Sequence, residues 1–240
     1  MNSFLESNYR VIYKGVEIFA ALVGLVLLKK YRKDKHAKYF IYFLLYVLII
    51  ETVGSYPVYL RKYESLNWIE EALKNTIFES NYWWYTLFWT IGSTAFFGFY
   101  YYNIVITKRI QSCVKWISLF CFFLSILLFV VYNDIFKSNY IIVLDIINFF
   151  LILFLVFIYL MELLYSEKVL IFYKSLPFYV SVGIFSFWIV TTPVGFFEEY
   201  YNTSDQGFIF LKLAIKICAI TFTYLIFAFG LIVSNPEKRT

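Results

Sequence analysis

Apolar runs of roughly twenty residues recur along the whole chain, separated by short polar interruptions. At a rise of 1.5 Å per residue, a helix of that length matches the ~30 Å hydrocarbon layer of a bilayer. The pattern predicts spans near 11–28, 39–60, 83–106, 114–132, 140–163, 172–195 and 208–233. The runs are long and continuous and lack the ten-residue alternation of a membrane strand. Backbone groups in lipid need partners within their own segment, which a helix supplies. The expected fold is therefore all-α: a polytopic integral membrane protein, a seven-transmembrane-helix bundle in one domain over 1–240.

Composition agrees with this pattern. Hydrophobic residues make up 62% of the chain and aromatic residues 24%, and the mean hydropathy is +0.71. A soluble domain averages about 45–50% apolar residues. Charge then sets the orientation. One side collects thirteen basic residues: Lys29, Lys30, Arg32, Lys33, Lys35 and Lys38, then Lys108, Arg109 and Lys115, then Lys168, Lys174, Lys238 and Arg239. The other side has six, Arg10, Lys14, Arg61, Lys62, Lys74 and Lys137, and its last loop carries Glu198, Glu199 and Asp205 with no base. Positive loops stay in the cytoplasm, so the N-terminus is expected outside and the C-terminus inside. A bacterial inner (plasma) membrane is the expected location. The net charge of +5 reads as a topology signal, with no nucleic-acid footprint. The 29–38 loop reads as stop-transfer charge, with lipid headgroup binding as the alternative. The first apolar run lacks a preceding basic region and a small-residue cleavage site, so it reads as an anchor.

Five ionisable residues stand out within the spans. Such groups are costly there, about 2.5–3.5 kcal/mol for a central charge, and mark functional interiors by default. Glu17 and Glu51 fall near the middle of spans one and two, and Asp145 lies about five residues inside span five. Lys212 and Lys216 lie four and eight residues inside span seven. Lys212 can snorkel to the outer face. Lys216 sits roughly 6 Å deeper by helical rise, so it needs a carboxylate if it faces inward. Two readings follow. In one, Glu17, Glu51, Asp145, Lys216 and Lys212 converge on a polar cavity opening outward, for a ligand or an ion. In the other they are satisfied interhelical pairs that fix packing, worth about 1–2 kcal/mol each.

Other interruptions refine this picture. Pro57 and Pro193 break or kink the outer ends of spans two and six, with Thr191 and Thr192 placed to re-satisfy the backbone near Pro193. Gly92, Ser93, Thr94 and Gly98 let helices approach closely. Asn103 and Asn148 are expected to bond across helices. The aromatic clusters at 82–89 and 100–102 read as interfacial anchors, with a ring-lined ligand site as the alternative. Leu66, Ile69, Leu73 and Ile77 recur at helical spacing within 61–82, which predicts a short amphipathic helix on the outer surface, either a connector or a cap. Cys113 is placed in a cytoplasmic loop, and Cys121 and Cys218 read as buried structural thiols. His36, the single histidine, reads as solvated.

Chemistry-bearing motifs are absent: there is no H-E-x-x-H, no G-x-S-x-G, no Gly-rich phosphate loop and no paired His/Cys set. No enzyme activity, cofactor or metal is expected. About ten residues precede the first span and about seven follow the last, so no kinase, cyclase or DNA-binding output module is expected. A lysine in the last span invites comparison with microbial rhodopsins. However, the position one turn before Lys216 is Lys212, and 83–106 holds no acid, so a retinal-binding protein stays a remote alternative. The basic first loop, Glu51 in "LIIET", Tyr85-Thr86-Leu87 opening span three and Pro177-Phe178-Tyr179 opening span six resemble small seven-helix inner-membrane proteins of the Bacteroidota type. Phe88-Trp89-Thr90 stands where a second acid would be sought. The resemblance implies a sensor-like membrane module, similar to the membrane halves of bacterial sensor kinases. The functions to weigh are a sensor, receptor or accessory subunit relaying to a membrane or cytoplasmic partner, and a small ion- or proton-coupled transporter or channel. The oligomeric state is left open.

Overall fold

The structure is a computed structural model, and it describes residues 2–132, 142–198 and 206–236. All regular structure among them is helical. The long helices are α1 (Asn2–Leu27), α2 (Lys35–Gly54), α7 (Lys108–Val131), α8 (Ile142–Leu164), α9 (Leu176–Glu198) and α10 (Gln206–Val233). The short helices α3 (Tyr56–Lys62) and α4 (Asn67–Leu73) follow α2. The run Tyr82–Ile104 is composite: α5 (Tyr82–Trp84), a π-helical stretch Tyr85–Ile91, and α6 (Gly92–Ile104).

Five of these segments are long and apolar enough to cross a membrane: Lys35–Lys62, Lys108–Val131, Ile142–Leu164, Leu176–Gly195 and Gly207–Val233. Two expected spans stand outside that set. One, α1, carries Arg10, Lys14 and Glu17 along its length, and the Tyr82–Ile104 run is rich in Tyr, Trp and Thr, which depress hydropathy. Lys137, Glu199, Asp205, Lys238 and Arg239, used above for orientation, lie outside the described residues.

The helices pack as a ring. In order around it, α1 lies between α2 and α10, α10 packs on α9, α9 on α8, α8 on α6 and the π-helical stretch, and these close back onto α2. Outside the ring, α7 packs against α6 and α8. Its buried residues are few, Val114, Ser118 and Ser125, and Trp116, Phe120, Phe123 and Leu127 face outward.

One end of the ring is dry and tightly joined. Tyr31, Phe40, Phe97, Tyr100 and Tyr101 are fully buried there. Phe40 meets Phe227 edge-on at 4.9 Å between ring centroids. Tyr100 and Tyr101 are therefore core residues and not interfacial anchors, because the Tyr101 hydroxyl finds Ser181 Oγ at 2.7 Å inside the bundle. At the same end Lys30 Nζ donates to the carbonyls of Leu231 (3.2 Å) and Ile232 (2.8 Å), and Tyr31 Oη donates to Leu231 O at 2.8 Å. A cation on the last carbonyls of α10 also suits the helix dipole. Partial burial pulls the Lys30 ammonium below the ordinary lysine value. Lys30 thus clasps a helix end, whereas Lys29, Arg32, Lys33, Lys35, Lys108 and Arg109 are exposed and Lys38 is half-buried.

Several expectations change on this scaffold. The fourth span starts at Lys108, not near 114, because the Glu162 carboxylate accepts from the Ile106 and Thr107 amides (2.9 and 2.7 Å) and caps α7 there. The second span breaks at Ser55, and Pro57 sits in the first turn of α3, where its missing N–H costs nothing. Pro193 lies inside α9 with its ring on the exposed side. Thr191 Oγ1 donates to Phe187 O at 2.8 Å, while Thr192 Oγ1 is buried with no partner among the described residues. The surface helix stops at Leu73, since Asn75 takes φ 60°, so Ile77 lies beyond it. Asn103 bonds Phe99 O in its own helix at 2.7 Å. Cys218 is exposed and Cys121 half-buried. His36 is half-buried rather than fully solvated.

A π-helix shifts backbone bonds by one residue and leaves carbonyls to be met from elsewhere. Tyr46 Oη donates to Phe88 O at 2.8 Å. Asn148 Nδ2 donates to Thr90 O at 3.0 Å and to Ser93 Oγ at 2.9 Å, and Thr94 Oγ1 lies 3.1 Å from Asn148 Oδ1. Gly92 makes room for the first of these, since a Cβ there would lie 2.6 Å from Tyr46 Oη. Gly98 does the same against Ser118 of α7, at 2.5 Å. Gly92→Ala is expected to cost about 1–3 kcal/mol by overpacking. With Tyr46→Phe added, the two losses should fall short of additive, because the clashing oxygen is gone. Thermal unfolding of the four variants in detergent checks this; strictly additive losses would mean that Tyr46 does not shape position 92.

Candidate functional site

The ring encloses a cavity of about 440 Å³. All five charged residues singled out in the spans lie on its wall: Glu17 from α1, Glu51 from α2, Asp145 from α8, and Lys212 and Lys216 from α10. Along α10 the lining residues Lys212, Lys216, Ile220, Thr223, Tyr224 and Phe227 hold one helical face. Fifteen residues separate the first from the last, so the cavity follows α10 for about 22 Å. Its charged half lies toward the N-terminal end of α10, and its floor is aromatic.

The wall opposite α10 comes from the π-helical stretch. Tyr85, Thr86, Trp89 and Thr90 all line the cavity, so these rings and hydroxyls face the interior and are not interfacial anchors. Phe43 of α2 and Phe187, Trp188 and Thr191 of α9 complete the ring-rich part. Trp188 is 3% exposed, and its Nε1 has no partner among the described residues.

Glu51 is held in place. Tyr85 Oη donates to Glu51 Oε2 at 3.0 Å, and Tyr13 Oη lies 3.4 Å from the same oxygen. The C-terminal carbonyls of α2 are met by side chains from three other segments. Trp84 Nε1 donates to Ile50 O (3.0 Å), Asn81 Nδ2 to Gly54 O (2.8 Å), and Lys14 Nζ approaches Glu51 O (3.4 Å) while donating to Ser55 Oγ (2.8 Å). Lys14 therefore serves the end of α2, where a cation suits the helix dipole.

Glu17 is different. It is 4% exposed, and its Oε2 has no hydrogen-bond partner among the described residues. A second cavity of about 270 Å³ adjoins, lined among others by Tyr9, Arg10, Tyr13, Ser55 and Asn81. Glu17, Glu51, Tyr85, Lys216 and Ile220 lie on the walls of both cavities. The two carboxylates thus stand at the partition between two spaces. Asp145, Lys212 and Lys216 are each already engaged in an interaction.

Two residue classes in the wall were missed from the sequence. Tyr13 and Trp188 carry no motif, and nothing in their neighbourhoods marks them. Thr86 and Thr90 stood in a stretch read for its anchoring rings, with no sequence signature of the π-helix that turns them inward, while Trp89 lies where the alternative of a ring-lined site puts it. Pro57 and Pro193 stand outside the cavity wall. Comparison with protein-family models, curated proteins and solved structures finds no match.

The wall separates residues by task. Behind it Asn148 ties α8 to the Thr90 carbonyl, Ser93 Oγ and Thr94 Oγ1, and Asn148→Ala removes these interhelical bonds from a fully buried position, an expected loss of about 1–3 kcal/mol. Glu17→Gln replaces a buried carboxyl group whose Oε2 makes no bond among the described residues, so stability should hold or rise. Melting curves of both variants in one detergent check the pair; comparable losses would place Glu17 among the packing residues.

Proposed function

We propose that the chain is a seven-span protein of a bacterial inner membrane, N-terminus outside and C-terminus cytoplasmic, that binds a small molecule within the bundle. We further propose that it is a sensor, receptor or accessory subunit, passing the bound state to a partner protein at the exposed lysines and arginines near Lys29–Lys38 and Lys108–Arg109. The observation that carries this reading is the single cavity onto which Glu17, Glu51, Asp145, Lys212 and Lys216 converge from four helices. Its volume falls in the range of small-molecule sites, roughly 300–1,000 Å³.

The shape favours binding over conduction. The floor of the cavity meets the sealed end, where Phe40 packs on Phe227 and Tyr31 bonds the end of α10. Two further points support membrane insertion of all seven segments. As a 26-residue helix, α1 is about 39 Å long, ample for the hydrocarbon layer. Its charged residues Lys14 and Glu17 also have places inside the protein, at the end of α2 and on the cavity wall. The exposed rings of α7 suit acyl chains. The resemblance to seven-helix membrane modules of sensor type points the same way.

An ion- or proton-coupled transporter is the second reading, and one observation favours it: Glu17 and Glu51, from the middle of their spans, line the cavity, the depth at which coupling-ion sites of transporters lie.

A cysteine-free variant (Cys113, Cys121 and Cys218 to Ser) carrying Ile220→Cys tests the chamber. A water-soluble thiol reagent should label that cysteine in membranes, and should not label Val180→Cys, which is fully buried away from the cavity. Absence of labelling at position 220 would remove the chamber. Solute flux by the purified protein in liposomes would replace the receptor reading with the transporter.

A further inference from the structure

We propose that the chamber takes an organic ammonium ion with an apolar body, the N–H groups meeting Glu17 and the body lying among Phe43, Trp89, Phe187 and Tyr224. This rests on the chamber reading above and names the chemistry of its ligand.

Glu17 points to a donor. It is 4% exposed and lines both cavities, and Oε2 lacks a hydrogen bond among the described residues. A buried carboxylate oxygen left unmet is expensive, more so than a neutral group. No described side chain donates to Glu17 Oε2, although Lys216 lies on the same two walls. Glu51 is itself an acid, with Oε2 already held by Tyr85 and Tyr13. Lys14 spends its hydrogen bonds on Ser55 Oγ and the Glu51 carbonyl. Two carboxylates at one partition, one pinned by phenols and one unmet, favour a cation arriving from the cavity.

The rest of the wall selects what that cation carries. A small inorganic cation would need a cage of oxygens, whereas the space beside Glu17 runs down into rings. Aromatic faces attract an ammonium group and bury its apolar substituents. An anion is a poorer fit, because it would face Glu17 and Glu51. Trp188 Nε1, 3% exposed and without a partner among the described residues, adds a place for one acceptor atom on the ligand's body.

The test uses three probes of one shape and different charge: 2-phenylethylammonium, 2-phenylethanol and 3-phenylpropanoate, titrated at neutral pH against the purified full chain in detergent. Melting temperature and tryptophan fluorescence are the readouts. The ammonium probe should saturate both signals, with the alcohol and the carboxylate at least tenfold weaker. Glu17→Gln should weaken the ammonium probe at least tenfold. Equal or tighter binding of the carboxylate, ammonium binding unchanged by Glu17→Gln, or no saturation by any probe would each overturn the proposal. Labelling at Ile220→Cys separates the two failures. Persistent labelling with no ammonium preference sinks the ligand assignment alone, and loss of labelling sinks the chamber.

Discussion

A polar group buried in a bundle this apolar can bond only to other parts of the protein, because neither acyl chains nor packed rings offer hydrogen bonds. The π-helical stretch Tyr85–Ile91 shows the rule satisfied. Its Phe88 and Thr90 carbonyls are met by Tyr46 of α2 and Asn148 of α8, and those bonds tie both helices to the stretch. The same stretch then presents Tyr85, Thr86, Trp89 and Thr90 to the interior as one wall. The dry end shows it again, with Lys30 and Tyr31 on the last carbonyls of α10. Against that background the exceptions gain meaning. Among the described residues, four of the unmet groups are single hydroxyls away from the cavity, on Ser118, Thr192, Thr221 and Ser234, whereas Glu17 Oε2 and Trp188 Nε1 belong to residues on its wall.

The apolar pattern carried the helical architecture well, because a run of twenty apolar residues has few alternatives to a long helix. It also marked the charged wall. Glu17, Glu51, Asp145, Lys212 and Lys216 stood out for the physical reason that brings them together: a charge within an apolar helix must turn toward other protein. Less legible were features decided by contacts distant in sequence. Glu162 caps α7 from 55 and 56 residues away, so the start of that helix could not be placed from its own residues. Tyr100 and Tyr101 look like interfacial rings in isolation, and only the packing of Ser181 and Phe40 around them makes them core. Lys14 and Lys30 read as loop or span-end charge, yet each finds a helix C-terminus. Cys218 failed in the other direction: small and apolar, it was read as buried, but its side of α10 faces out of the bundle.

The aromatic surplus also has a structural explanation beyond anchoring. Phe43 stacks on Phe96 with 4.0 Å between centroids, Phe40 meets Phe227, and Trp89 meets Phe187 edge-on at 6.0 Å. These pairs knit α2, the Tyr82–Ile104 run, α9 and α10 together, and within a bilayer apolar burial would give no net drive between helices. Ring geometry supplies specificity instead. The floor of the chamber is built from the same residues, so a ligand resting there would lie against the contacts that set helix positions.

Of the helices, α10 joins these features. Lys212 and Lys216 stand in the charged half of the chamber, Tyr224 and Phe227 in its floor, and the Leu231 and Ile232 carbonyls in the clasp of Lys30 and Tyr31. It also packs along both α1, which carries Glu17, and α9, which carries Trp188. A ligand can shift an equilibrium only by binding two arrangements unequally. The chamber wall includes α10 and both its neighbours, and the clasp at the end of α10 is made by the loop bearing the exposed lysines. One continuous helix, α10, therefore runs from the charged half of the chamber to the carbonyls that Lys30 and Tyr31 hold.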